Sequence, residues 1–106
     1  MHAFESLDLR VGKITRAELN EAARKAAFKM WIDFGSLGTK TSSGQLTPLY
    51  SPADLTGRLV VCAVNLGTRT IAGFPSEVLV MGVKDADGNV VLLSVERDVA
   101  PGERVF

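Results

Sequence analysis

The chain has 106 residues, 46% of them hydrophobic, and its twelve Lys/Arg balance twelve Asp/Glu to a formal net charge of zero. That length predicts a single domain over residues 1–106 with one modest core. Zero net charge excludes the strongly basic surface that non-specific nucleic-acid binding needs, although residues 1–50 carry seven Lys/Arg against five Asp/Glu and leave room for a local basic patch.

Ala3 to Asp8 reads as a short turn or helix that packs Phe4 and Leu7 inward. Leu9 to Ala17 alternates: Leu9, Val11 and Ile14 are apolar, while Arg10, Lys13 and Arg16 are not. This is the first strand, with Gly12 marking a bulge or sharp bend. Glu18 to Ala27, rich in Ala, Glu, Arg and Lys, reads either as a short helix or as a loop with one helical turn. Phe28 to Phe34 alternates again. Phe28, Met30, Ile32 and Phe34 should face the core, which leaves Trp31 outward between Lys29 and Asp33. An outward Trp either stacks on a ligand or subunit or lies beneath a loop.

Gly35 to Gly38 is a turn, and Thr39 to Leu46 is a polar, alternating third strand at an edge. Ser51-Pro52-Ala53-Asp54 predicts a helix start, with Ser51 as N-cap and Pro52 at the first position. Two nearly all-apolar runs follow, Val60 to Leu66 and Val78 to Val83, each with the length and Val content of a strand buried on both faces. The polar link between them holds Asn65, Arg69, Ser76 and Glu77 beside Gly67 and Gly73. A polar connection between rigid strands is a usual place for a binding surface. Asp85 to Asn89 is a hairpin turn, Val90 to Val95 a further strand, and Arg104 to Phe106 a last short edge. Short strands at this spacing, with one or two short helices, predict an all-β fold: a small Greek-key barrel of the oligonucleotide/oligosaccharide-binding (OB-fold) kind with terminal extensions.

The apolar surplus and positive mean hydropathy point either to surface buried against a second copy of the chain, a homodimer, or to a very well filled core. Cys62 is the one cysteine and falls in an apolar strand, as a buried thiol does in a reducing cytosol. No apolar run approaches the roughly 20 residues of a membrane span, so the expectation is a cytoplasmic protein without membrane insertion. His2 is the sole histidine. A His-dependent triad or a His/Cys zinc site has no raw material, and neither an enzyme, a metal nor a cofactor is expected. Asp85, Asp87 and Asn89 mimic the start of a calcium loop but lack its glycine position and late Glu.

Several of these segments also resemble a known family. Asp8-Leu9-Arg10-Val11-Gly12-Lys13-Ile14 is similar to the opening signature of the tRNA-binding domain family. Tyr50-Ser51-Pro52-Ala53-Asp54-Leu55-Thr56-Gly57 is similar to its following segment. Arg24 to Lys29, Ile32 to Gly35 and Ile71 to Val80 look like the CsaA branch, the small export-related chaperones. The resemblance covers residues 4 to 106. It implies an OB-fold homodimer that binds unfolded or precursor polypeptide in apolar pockets near the subunit interface, with tRNA as a further partner. Two departures stand out. Synthetase-linked members carry a Ser-x-Gly-Met type sequence where this chain has Ser76-Glu77-Val78-Leu79, and a carboxylate at Glu77 repels phosphate. The branch often has prolines where this chain has Glu21 and Ala26, which frees the 18–27 segment to form a helix.

Two functional expectations result. In the first, Trp31, Asn65, Arg69, Phe74, Ser76 and Glu77 rim apolar pockets that hold an extended polypeptide for export. Phe74 and Asn65 also have plainer roles open to them, as a core anchor and as a cap on the loop backbone. In the second, structure-specific tRNA binding uses Lys13, Arg16, Arg24, Lys25, Lys29, Lys40 and Arg69 on phosphates. Ser42, Ser43, Gln45 and Asn65 would then contact bases or sugars, and Trp31 would stack.

Overall fold

The computed structural model describes residues 6–106. Its strands are β1 (Leu9–Leu19), β2 (Phe28–Asp33), β3 (Thr39–Gly44), β4 (Leu59–Ala63), β5 (Arg69–Ile71), β6 (Phe74–Ser76), β7 (Leu79–Val80), β8 (Gly82–Lys84) and β9 (Val90–Leu92). A short α-helix, α1 (Pro52–Leu55), lies between β3 and β4, where the OB-fold expectation places it. Of the segment 18–27, Glu18 and Leu19 continue β1 and residues 20–27 are a loop with turns, so the loop reading holds for 20–27 and the helix reading fails.

The main sheet runs β3-β2-β1-β4-β7 with every pairing antiparallel. Its two ends meet: Glu77 N–H and Val78 N–H both donate to the Thr41 carbonyl of β3, at 2.8 and 3.2 Å. The result is a nearly closed five-strand barrel, which removes most of the free edge that an open sheet leaves. Closure explains the core. Phe28, Met30, Ile32 and Phe34 are all buried, as the alternation of β2 requires, and they meet Ile14, Val60, Cys62 and Leu55 inside.

Gly12 serves a close approach and not a bulge. A Cβ there would sit 2.5 Å from Ile32 Cγ2 and 2.6 Å from Phe34 Cε1. The irregularity in β1 falls later, between Ile14 and Arg16, where the register with β2 shifts. The second apolar run also departs from expectation. It breaks at Met81 into β7 and β8, and Leu79 and Val83 are more than half exposed, not buried on both faces. The strand expected over Val90 to Val95 is shorter than its sequence suggests and ends at Leu92, and the expected edge at Arg104 to Phe106 is reduced to a single bridge from Arg104 to Arg10. Leu7, expected to pack inward, is exposed, and Phe4 lies outside the described residues.

The family-like segments turn out to be fasteners. Asp8 accepts from Arg10 Nε at 2.6 Å, and Arg104 lies 3.5 Å from the same carboxylate. Arg10 also donates to the Gly102 carbonyl, so the Asp8-Leu9-Arg10 run clips the C-terminal segment along β1. The hydrogen bond from Arg10 holds the Asp8 carboxyl below its ordinary value; partial burial opposes this, and the charges of Arg10 and Arg104 add to it. Ser51 and Asp54 form a reciprocal capping box at α1. Tyr50 Oη accepts from Leu92 N–H at 3.1 Å and ties β9 to the barrel. Burial pushes the Cys62 thiol up to about 12.

Candidate functional site

The polar link is not a plain loop. Residues 69–76 form a β-hairpin in which Arg69 pairs with Ser76, Thr70 with Pro75 and Ile71 with Phe74. Its two turn residues, Ala72 and Gly73, have φ of 47° and 80°. That is the left-handed geometry of a tight hairpin turn, which Gly adopts freely and Ala does not.

The hairpin lies against the outer face of β2 and β3. Phe74 meets Trp31 edge to face, with ring centroids 5.3 Å apart and planes at 71°. The Arg16 guanidinium sits 4.6 Å from the Trp31 ring centre, because Arg16 is the register partner of Trp31 on β1. Lys29 Nζ lies 5.7 Å from the Phe74 ring centre and 3.9 Å from Glu18. Arg16, Lys29, Trp31 and Phe74 therefore make one half-open array, an aromatic pair with a cation on each ring.

Beside it opens a cleft of about 590 Å³ between the loop 20–27, the end of β3 and the hairpin tip. Arg24, Lys25, Ser43 and Gln45 line it together with Ile71 and Ala72. The fold thus brings residues of both functional expectations to the two sides of one hairpin.

Other expected residues are placed elsewhere or are occupied. Ser42 is 1% exposed, and its hydroxyl donates to the Val78 carbonyl at 2.7 Å. It faces the barrel interior and is withdrawn from the solvent-facing set. Glu77 Oε1 accepts from Thr41 N–H and Thr41 Oγ1 at 3.1 and 2.9 Å. Ser76 Oγ accepts from Ser43 N–H at 3.1 Å. Asn65 caps the chain entry, taking Asp8 N–H on Oδ1 and giving Nδ2 to the Ser6 carbonyl. It borders a smaller hollow of about 240 Å³ with Lys40, Leu37 and Val64. Arg69 is exposed at the hairpin base. Lys13 lies apart from the array, beside Asp33, Asp98 and Pro101. The sequence reading did not single out Thr41, Ile71 or Ala72. The Ala72-Gly73 pair flanked by Ile71 and Phe74 is the signal that reveals the hairpin. Among the described residues, no cluster of His, Cys, Asp and Glu is arranged to hold a metal, and no helix is long and apolar enough to cross a membrane.

The putative tRNA binding domain family matches residues 9–104. The chain belongs to this family. Among curated proteins it is 37% identical to the methionine–tRNA ligase of Methanopyrus kandleri over 99% of this chain and 15% of that one. It spans the same 15% share of the Methanocaldococcus jannaschii ligase, at 35% identity. Among solved structures it is similar to the chaperone CsaA of Bacillus anthracis, with 42% identity, a TM-score of 0.88, and coverage of 100% of this chain and 99% of that one. The CsaA chaperone protein of Picrophilus torridus is 38% identical with a TM-score of 0.90, over 97% and 94%. The structural likeness joins this family member to CsaA-type proteins, while its curated relatives carry the domain as a small part of an enzyme.

Proposed function

We propose that the chain is a cytoplasmic, homodimeric, non-catalytic chaperone that holds unfolded or precursor polypeptide and assists its export. The observation that carries this reading is the outward Trp31–Phe74 pair beside a cleft walled by Ile71 and Ala72, on a chain with no net charge. Half-open aromatic surface of this kind takes apolar side chains weakly and reversibly, as a holding protein needs. The end-to-end similarity to CsaA proteins adds support. The homodimer is supported by a second apolar region. Val11, Val95, Val99, Val105 and Phe106 border a hollow of about 540 Å³, and Leu79 and Val83 are further exposed apolar side chains.

The second reading, structure-specific tRNA binding, is favoured by Arg16 stacked on Trp31 and by Arg24 and Lys25 at the cleft. The family and its ligase members point the same way. One titration separates the two. Labelled unfolded peptide and labelled tRNA are each bound at rising salt. Polypeptide holding predicts peptide affinity that persists as salt rises, since apolar contacts are not screened. Phosphate contacts predict a steep loss. Arg24→Glu should weaken tRNA and spare peptide. Tight, salt-sensitive tRNA binding with no peptide binding would overturn the first reading.

A further inference from the structure

The seam between the hairpin and β3 is unusual. In the β2–β3 ladder the edge amides of Thr41 and Ser43 point away from β2, toward the hairpin. A neighbouring strand would meet them with backbone carbonyls. Here a Glu77 carboxylate oxygen takes Thr41 N–H and the Ser76 hydroxyl takes Ser43 N–H. These side-chain oxygens stand in for a strand. A regular ladder also fails on the donor side: no N–H for a β3 carbonyl comes from the central residue of β6, Pro75. Its carbonyl is taken by the Thr41 hydroxyl at 2.7 Å instead. The β3 edge is therefore guarded by side chains, with no continuous backbone pairing to the hairpin. The cleft opens at the end of this edge, where Ser43, Gly44 and Gln45 face Ile71 and Ala72. Ala72 holds the turn with a left-handed φ that costs a non-glycine residue, so the wall on this side already stores strain.

We propose that an extended segment of unfolded polypeptide enters this cleft and adds as a strand to the β3 edge at Ser43–Gln45, displacing the Ser76 hydroxyl. This rests on the polypeptide-holding reading and names how that site recognises its client. A swinging serine hydroxyl is a cheap guard: the edge amide stays satisfied when empty and exchanges one neutral hydrogen bond for another when a client arrives. Backbone pairing also supplies what a holding protein requires. Every polypeptide carries the same N–H and C=O groups, so recognition through them tolerates any sequence, and the Trp31–Phe74 array adds apolar grip beside it.

The test uses one disordered, uncharged peptide and the same peptide N-methylated at consecutive central residues, which removes its backbone donors and keeps its side chains. Binding to the full chain is followed by the amide signals of Ser43, Gly44 and Gln45. The expected result is a loss of roughly tenfold in affinity on methylation, the worth of one or two hydrogen bonds. Ser43 and Gln45 amide exchange should slow when the unmethylated peptide is bound. Gln45→Pro, which deletes the backbone donor two residues past Ser43, should weaken the unmethylated peptide in the same way. Equal affinity for the two peptides, with protection elsewhere on the chain, would overturn this inference and leave polypeptide holding intact. If neither peptide binds, the holding reading itself fails and the strand addition falls with it.

Discussion

Strand β2 and the hairpin β5–β6 face each other across the Trp31–Phe74 contact, and they are built on different terms. β2 is paired by backbone on both sides, with β1 and with β3, and buries every second side chain in the core. The hairpin pairs only with itself and reaches β3 through side chains. Ladder bonds form and break together with the core they enclose, whereas a seam of side-chain bonds opens piecemeal. The contrast places rigidity under Trp31 and adjustability over it, which is the arrangement a surface needs to accept varied partners.

Substitutions should divide along this line. The largest effect belongs to the ladder side. Phe34→Ala empties a fully buried site and should cost about 3–5 kcal/mol in urea unfolding. A cost near that of a surface change would mean that the barrel core is not where the stability lies. Next comes Glu77→Ala, which leaves the half-buried Thr41 amide without its acceptor, the Thr41 hydroxyl keeping the Pro75 carbonyl, and should cost about 1–3 kcal/mol. Glu77→Gln keeps an acceptor oxygen and should recover most of that loss.

A pH titration tests the Asp8 clip. Its carboxyl is held below its ordinary value, so its contribution is in full above the unfolded Asp value of about 3.9 and is lost as pH falls through the folded one. Unfolding midpoints measured on the acid side should fall less in Asp8→Asn than in the parent chain. The smallest change belongs to the seam. Ser76→Ala should cost under about 1 kcal/mol, and yet it should speed Ser43 amide exchange while leaving Ile32 amide exchange alone. Equal acceleration at both would show that hairpin and barrel open as one unit.

The ladder side was also the legible side. The alternation of Phe28 to Phe34 shows in seven residues which face is buried, and the capping box of Ser51 and Asp54 is local. Period and cap are short-range signals, and no distant residue competes with them. The site was legible only in its members. Trp31 and Phe74, and Arg24 and Gln45, were singled out without any sign of how the fold would group them. The bonds that fasten the hairpin join residues 33 to 36 positions apart, and no sequence period encodes such a pairing. Ser42 and Ser43 are a different case. Alternation alone puts two adjacent strand serines on opposite faces. Ser42 shares the parity of buried Leu46, so its inward hydroxyl was legible; what was not is its partner, the Val78 carbonyl. The break at Met81 was missed because the nearly all-apolar run Val78 to Val83 reads as buried whether or not a second layer covers it.

Trp31 is the one tryptophan in the chain, so its emission reports on the candidate surface alone. Titration with a disordered peptide, labelled so that binding is scored independently, should shift that emission saturably in step with the label and persist at high salt. Peptide bound by the label while Trp31 emission stays constant, or no peptide bound at all, would contradict the account.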